Sequence, residues 1–167
     1  MFKQRYPSIR FTSIVCFVLV FAFTAAWAVQ TYYASVIIKK GKGGNLKIVN
    51  QGEDKIGAKI TNGSLDTYLE EQGLNAVEIQ VKMTEELVEC SDGTHYHLEF
   101  TFGPSGAYMD PPLKLILKGK YVETGCNVWL FDENGEAVEG KRSDESDKIV
   151  FEIPHFSVYG YDDYDYY

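Results

Sequence analysis

His95-Tyr96-His97-Leu98-Glu99-Phe100-Thr101-Phe102 alternates between polar and apolar or aromatic side chains without a break. Successive side chains of an extended strand point to opposite faces, so Tyr96, Leu98, Phe100 and Phe102 share one face and His95, His97, Glu99 and Thr101 the other. That is the pattern of a strand buried on one side only. The same period of two recurs in Ala76 to Met83, where Val77, Ile79, Val81 and Met83 alternate with Glu78, Gln80 and Lys82. Leu113, Leu115 and Leu117 repeat it, as do Ile149, Phe151 and Ile153, while Val128 to Phe131 is a continuous apolar run suited to a central strand.

Turn signals separate these segments: Ser91-Asp92-Gly93, Gly103-Pro104-Ser105-Gly106, Asp110-Pro111-Pro112 and Glu133-Asn134-Gly135. Asn134-Gly135 predicts a hairpin with a type I′ turn, because both residues tolerate positive φ. All 15 glycines fall between Gly41 and Gly160, a density of turns that suits many short strands. Leu65 to Gln72, confined by Gly63 and Gly73, has room for about one helical turn. The expected fold is all-β, an antiparallel β-sandwich of two packed sheets, preceded by an N-terminal apolar helix.

That helix is a targeting segment by its grammar. Lys3, Arg5 and Arg10 precede the apolar run Phe11 to Ala26, and Ala26-Trp27-Ala28 is a small-x-small cleavage pattern. Residues 1–28 therefore read as a signal peptide or, uncleaved, as a membrane anchor over residues 11–28; either way the remainder is expected outside the cytoplasm. Cys16 lies inside the apolar run without the small residues that precede a lipidated cysteine. The formal net charge of the 167-residue chain is −8, and loss of the three basic residues of the leader takes it to −11. A surface that negative repels phosphate backbones and anionic headgroups, so neither nucleic acid nor electrostatic docking to a membrane is expected, and the membrane is a partner only through the leader.

Three stretches carry a family resemblance. Gly43-Gly44-Asn45-Leu46 with Thr61-Asn62-Gly63-Ser64-Leu65 is similar to the opening of the ZU-five β-sandwich domain, found in zonula occludens scaffolds, ankyrins, netrin receptors and bacterial exported proteins; Ser64 stands where the family usually has Ala. Phe102-Gly103-Pro104-Ser105-Gly106-Ala107 with Pro111-Pro112-Leu113-Lys114-Leu115 resembles its middle. Val128-Trp129-Leu130-Phe131-Asp132 through Glu152-Ile153-Pro154-His155-Phe156-Ser157-Val158-Tyr159 resembles its closing strands. The implied organisation is a lead-in or first strand over 29–40, a ZU-five-like sandwich over 41–161 and a Tyr/Asp-rich tail over 162–167.

The chemistry-bearing candidates are few. In some ZU-five domains a His-apolar-Ser sequence cuts its own chain, which gives His155-Phe156-Ser157 an alternative role. His155 would be the base, Ser157 the nucleophile and Phe156 the carbonyl donor of an N-to-O acyl shift. His95 and His97 share a strand face with Glu99, the start of a zinc or copper ligand set that needs a third ligand from His155 or from another strand. Cys90 and Cys126 are the one pairing possible after processing, and they read either as a disulfide or as two small buried apolar side chains. The acidic clusters Asp132-Glu133 and Asp144-Glu145-Ser146-Asp147 lack the spacing of a calcium loop and read as solvated loops. No phosphate loop, dinucleotide fingerprint or serine-hydrolase elbow is present in the sequence. The expectation is an exported, non-enzymatic interaction or structural module without a cofactor, whose partner is a protein at the cell surface.

Overall fold

Alternation of this kind organises eleven strands among the described residues into two antiparallel sheets. The structure, a computed structural model, describes residues 29–90, 93–122, 129–143 and 147–162, without the side chains of 88–90, 93–95, 129, 161 and 162. The first sheet contains β1 (Gln30–Lys39), β4 (Ala76–Cys90), β5 (Gly93–Gly103), β7 (Trp129–Asp132), β8 (Ala137–Glu139) and β11 (Val158–Asp162), in the order β1-β4-β5-β11-β7-β8. The second contains β2 (Gly44–Gln51), β3 (Asp54–Ile60), β6 (Tyr108–Lys118), β9 (Lys141–Ser143) and β10 (Lys148–His155), in the order β2-β3-β6-β10-β9. One short helix, α1 (Asp66–Glu71), follows β3, and a 3-10 turn at Gly119–Tyr121 follows β6. The expected apolar helix and the cysteine pair lie outside the described residues, apart from the backbone of Cys90.

The two sheets close on one another through the apolar phase of each strand. Ile79, Val81 and Met83 of β4 and Leu98, Phe100 and Phe102 of β5 meet Leu113, Leu115 and Leu117 of β6 and Ile149, Phe151 and Ile153 of β10 in one buried cluster. Phe102 stacks on Phe156 at 5.8 Å and meets the edge of Tyr159 at 6.0 Å. Each such side chain contributes about 1.5–3 kcal/mol on burial, which is why the alternation fixes both the strands and their facing. Leu65, the N-cap of α1, and Leu69 within it, both buried, add to one margin of the core.

Local details depart from the expectations in three places. The β7–β8 hairpin forms, but Asn134 does not adopt positive φ; only Gly135 does, at 79°. Gly135 N–H donates to the Asp132 carbonyl at 2.9 Å and Asp132 N–H to the Glu136 carbonyl at 3.0 Å, so one left-handed glycine closes the loop and no type I′ turn is present. The Asp132 carboxylate selects this geometry by accepting the N–H groups of Asn134 and Glu136, at 2.9 and 2.8 Å. Second, β6 begins at Tyr108 and runs through Pro111-Pro112 instead of starting beyond them. The missing N–H groups fall where the β6–β10 register shifts between Ile153 and His155, so no ladder bond is lost. Third, β7 is flanked by β11 and β8, yet Phe131 is 49% exposed, so the Val128 to Phe131 run is not buried on both faces.

Candidate functional site

His155-Phe156-Ser157 links β10 of one sheet to β11 of the other. The backbone is held on both sides: Phe156 N–H donates to the Ala107 carbonyl at 2.7 Å, the Phe156 carbonyl accepts Gly106 N–H at 3.2 Å, and the Ser157 carbonyl accepts Phe102 N–H at 3.0 Å. Phe156 is buried, and Ser157 Oγ is buried with no hydrogen-bond partner. The His155 imidazole is directed elsewhere. Its Nδ1 lies 3.3 Å from the Tyr159 hydroxyl, and its Nε2 lies 3.7 Å from Asp132 Oδ2. The Tyr159 hydroxyl also donates to the His155 carbonyl at 2.9 Å, so the ring is held between Tyr159 and Asp132. No imidazole nitrogen is therefore placed to take the Ser157 proton.

Asp132 is the partner that the solvated-loop reading of Asp132-Glu133 misses. Its side chain is 2% exposed and faces inward beside Tyr159. Burial acts to raise its pKa, but the backbone N–H groups of Glu136 and Asn134, with His155 beyond them, outweigh burial and hold the carboxyl below its usual range. In Tyr159, burial and the nearby acids push the hydroxyl pKa up.

A second inward acid, Glu85, stands in the apolar phase of β4, two residues beyond Met83. Its Oε1 meets Lys120 Nζ at 2.6 Å and its Oε2 accepts the Tyr121 hydroxyl at 2.9 Å. The Lys120 ammonium also lies 4.6 Å from the Tyr96 ring centre and 4.9 Å from that of Tyr121, and the two rings meet edge to face. This is an aromatic cage filled by the chain's own lysine. Burial lowers the Lys120 pKa, while the Glu85 hydrogen bond and charge raise it further, so the net shift is upward. Extending the Val77 to Met83 alternation by two residues exposes Glu85 as an exception to the apolar phase, and that was the available signal.

His97 and Glu99 lie opposite Glu86 and Thr84 on β4 and share the outward face of the six-stranded sheet, since Leu98 and Phe100 point inward. His155 turns toward the interior side of that sheet, against Asp132, and so is not available to complete a ligand set with them. The His95 side chain lies outside the described residues. Among the described residues no three His, Cys, Asp or Glu side chains converge, and no helix is long and apolar enough to cross a membrane.

The outward face of the six-stranded sheet is the notable surface. Tyr33 is 74% and Ile37 66% exposed on β1, and Phe131 is exposed across the sheet on β7. Between Tyr33, Gln80, Thr101 and Gly103 lies an open hollow of about 430 Å³. Gly103 provides the depth, because nothing occupies the space its missing side chain would fill. No family model matches the chain, and neither a curated protein nor a solved structure matches it. The ZU-five resemblance thus rests on the residues quoted for it.

Proposed function

We propose that the chain is an exported, ZU-five-like β-sandwich that acts as a non-enzymatic interaction or structural module on the outer side of the membrane. The observation that supports this most is the division between inside and outside. The inward acids are each engaged by a cation or imidazole of the same chain, whereas Tyr33, Ile37 and Phe131 are exposed on one sheet face beside a hollow. Tyrosine and phenylalanine on a flat face offer contact area at low entropic cost, the usual makings of a protein-binding surface. Capture from envelope extracts tests the reading. The double variant Tyr33→Lys with Phe131→Lys should melt within a few degrees of the natural chain and lose the captured protein; retention of the same protein would contradict it. Export is tested by fusing residues 1–40 to a reporter active only outside the cytoplasm, and activity confined to a cytoplasmic reporter would contradict that part.

Self-cleavage before Ser157 is the second reading, favoured by one observation: a buried, unpartnered hydroxyl adjoins a carbonyl that already accepts an N–H from Gly106. The imidazole facing Asp132 favours an intact chain. Mass spectrometry of the purified protein at neutral pH, with and without hydroxylamine, distinguishes the two. The proposal expects the full mass; loss of residues 157–167, abolished in Ser157→Ala, would replace it.

A further inference from the structure

The net charge conceals a segregation of charge between faces. Lys55, Lys118 and Lys148 lie opposite one another on β3, β6 and β10, forming a row across three strands of the five-stranded sheet. Strands are spaced about 4.8 Å apart, so the row is a compact line of ammonium groups. Four residues along, beyond a row of Gly57, Ile116 and Val150, Lys59 and Lys114 lie opposite one another, with Glu152 beyond them. All these side chains point outward, because Ile56, Ala58, Leu115, Leu117, Ile149 and Phe151 between them are buried. Among the described residues of these strands between the two rows, Glu152 is the one outward acid, and it is taken by Lys141 at 3.1 Å and Lys114 at 3.9 Å. Beside the first row, Lys47, Lys55 and Lys118 border a hollow of about 200 Å³ whose floor includes Gly57 and Ile116.

The position of this face in the chain indicates what it meets. Gln30, the first residue of β1, lies opposite Glu85, which is bonded to Lys120, two residues beyond Lys118. The lysine row thus occupies the end of the sandwich at which the apolar leader joins the fold. We propose that the outward face of the five-stranded sheet lies against the anionic headgroups of a phospholipid bilayer, with the Lys55-Lys118-Lys148 row docked at the surface and the opposite sheet turned toward protein partners. This rests on the extracytoplasmic reading above and gives it an orientation. The face is suited to an interfacial contact: its apolar members Ile116 and Val150 beside the row are only half-exposed, the exposed Tyr108 lies at the far end of β6, and lysine stems reach a headgroup layer without inserting.

The test uses the full chain in lipid discs, one set zwitterionic and one rich in phosphatidylglycerol. A water-soluble amine-acylating reagent reports each lysine by mass spectrometry, with Lys82 on the opposite outward face as the internal reference. The proposal expects acylation of Lys55, Lys118 and Lys148 to slow at least five-fold in anionic discs relative to zwitterionic ones, the order expected for one lysine at an anionic surface. Lys82 should be unchanged, and about 1 M salt, where the Debye length is about 3 Å, should restore the rates. In Lys55→Gln/Lys118→Gln/Lys148→Gln the difference between disc types at Lys59 and Lys114 should vanish while the melting temperature is kept. Equal rates in both discs, or equal slowing at Lys82, would overturn the proposal. Protection by soluble polyphosphate on zwitterionic discs without protection on anionic ones would also overturn it, in favour of a linear polyanion. The envelope-capture experiment reads the other sheet, so either reading can fail without the other.

Discussion

At position 85 a carboxylate occupies a place that the neighbouring residues of β4 reserve for apolar side chains, and Lys120 makes that arrangement stable. The two partners are not equivalent. Glu85 is 5% exposed, whereas the Lys120 side chain is 30% exposed and can be hydrated. Lys120→Met should therefore cost about 3 kcal/mol by leaving an uncompensated buried charge, and Glu85→Gln about 1 kcal/mol, as read from urea denaturation at neutral pH. The reverse order would contradict the burial argument. Because the Lys120 pKa is raised on folding, this contribution is fully present below about pH 10.4 and is lost as pH rises through the folded value. The natural chain should lose melting temperature above that point, and Lys120→Met should lose less. Ser157 presents the opposite case. Its hydroxyl is buried and unpartnered, so Ser157→Ala should raise stability by up to about 1 kcal/mol.

Among the elements, β4, β5, β6 and β10 were legible because each repeats its apolar period over three or more positions, and each is buried at three of them, with Val77 and Tyr96 partly buried. Helix α1 was legible from Gly63 and Gly73, its boundaries. What was not legible depends on contacts between segments distant in sequence. The hairpin geometry turned on an Asp132 side chain accepting N–H groups beyond the Asn-Gly pair, and the start of β6 turned on a register shift in β10. Nor did the HFS sequence reveal that His155 faces Asp132, which follows from the pairing of β7 with β11. The facing of β6 gives a direct check. Leu115→Asp or Phe100→Asp should abolish folding, since an unpaired buried carboxylate costs several kcal/mol, comparable with a total stability of about 5–15 kcal/mol. Lys114→Asp should change stability by under about 1 kcal/mol. Thermal melts in which Lys114→Asp is as damaging as Leu115→Asp would refute the assigned faces.

For the whole molecule, composition was misleading about where the charge lies: an acidic total coexists with a lysine face on the five-stranded sheet. Acid sensitivity follows from the same interior. Asp132 has a lowered pKa when folded, so its contribution is present above about pH 3.9 and is lost as pH falls through the folded value. Asp132→Asn should remove that part of the loss below pH about 4, as followed by circular dichroism. The division of labour between the two sheets is the central claim, and site-specific photo-crosslinking in living cells tests it most directly. A photoreactive side chain at position 33 or 131 should give a discrete adduct with a protein, and one at position 59, on the lysine face, should give none. Absence of adducts from 33 and 131, or the same adduct from 59, would contradict the account.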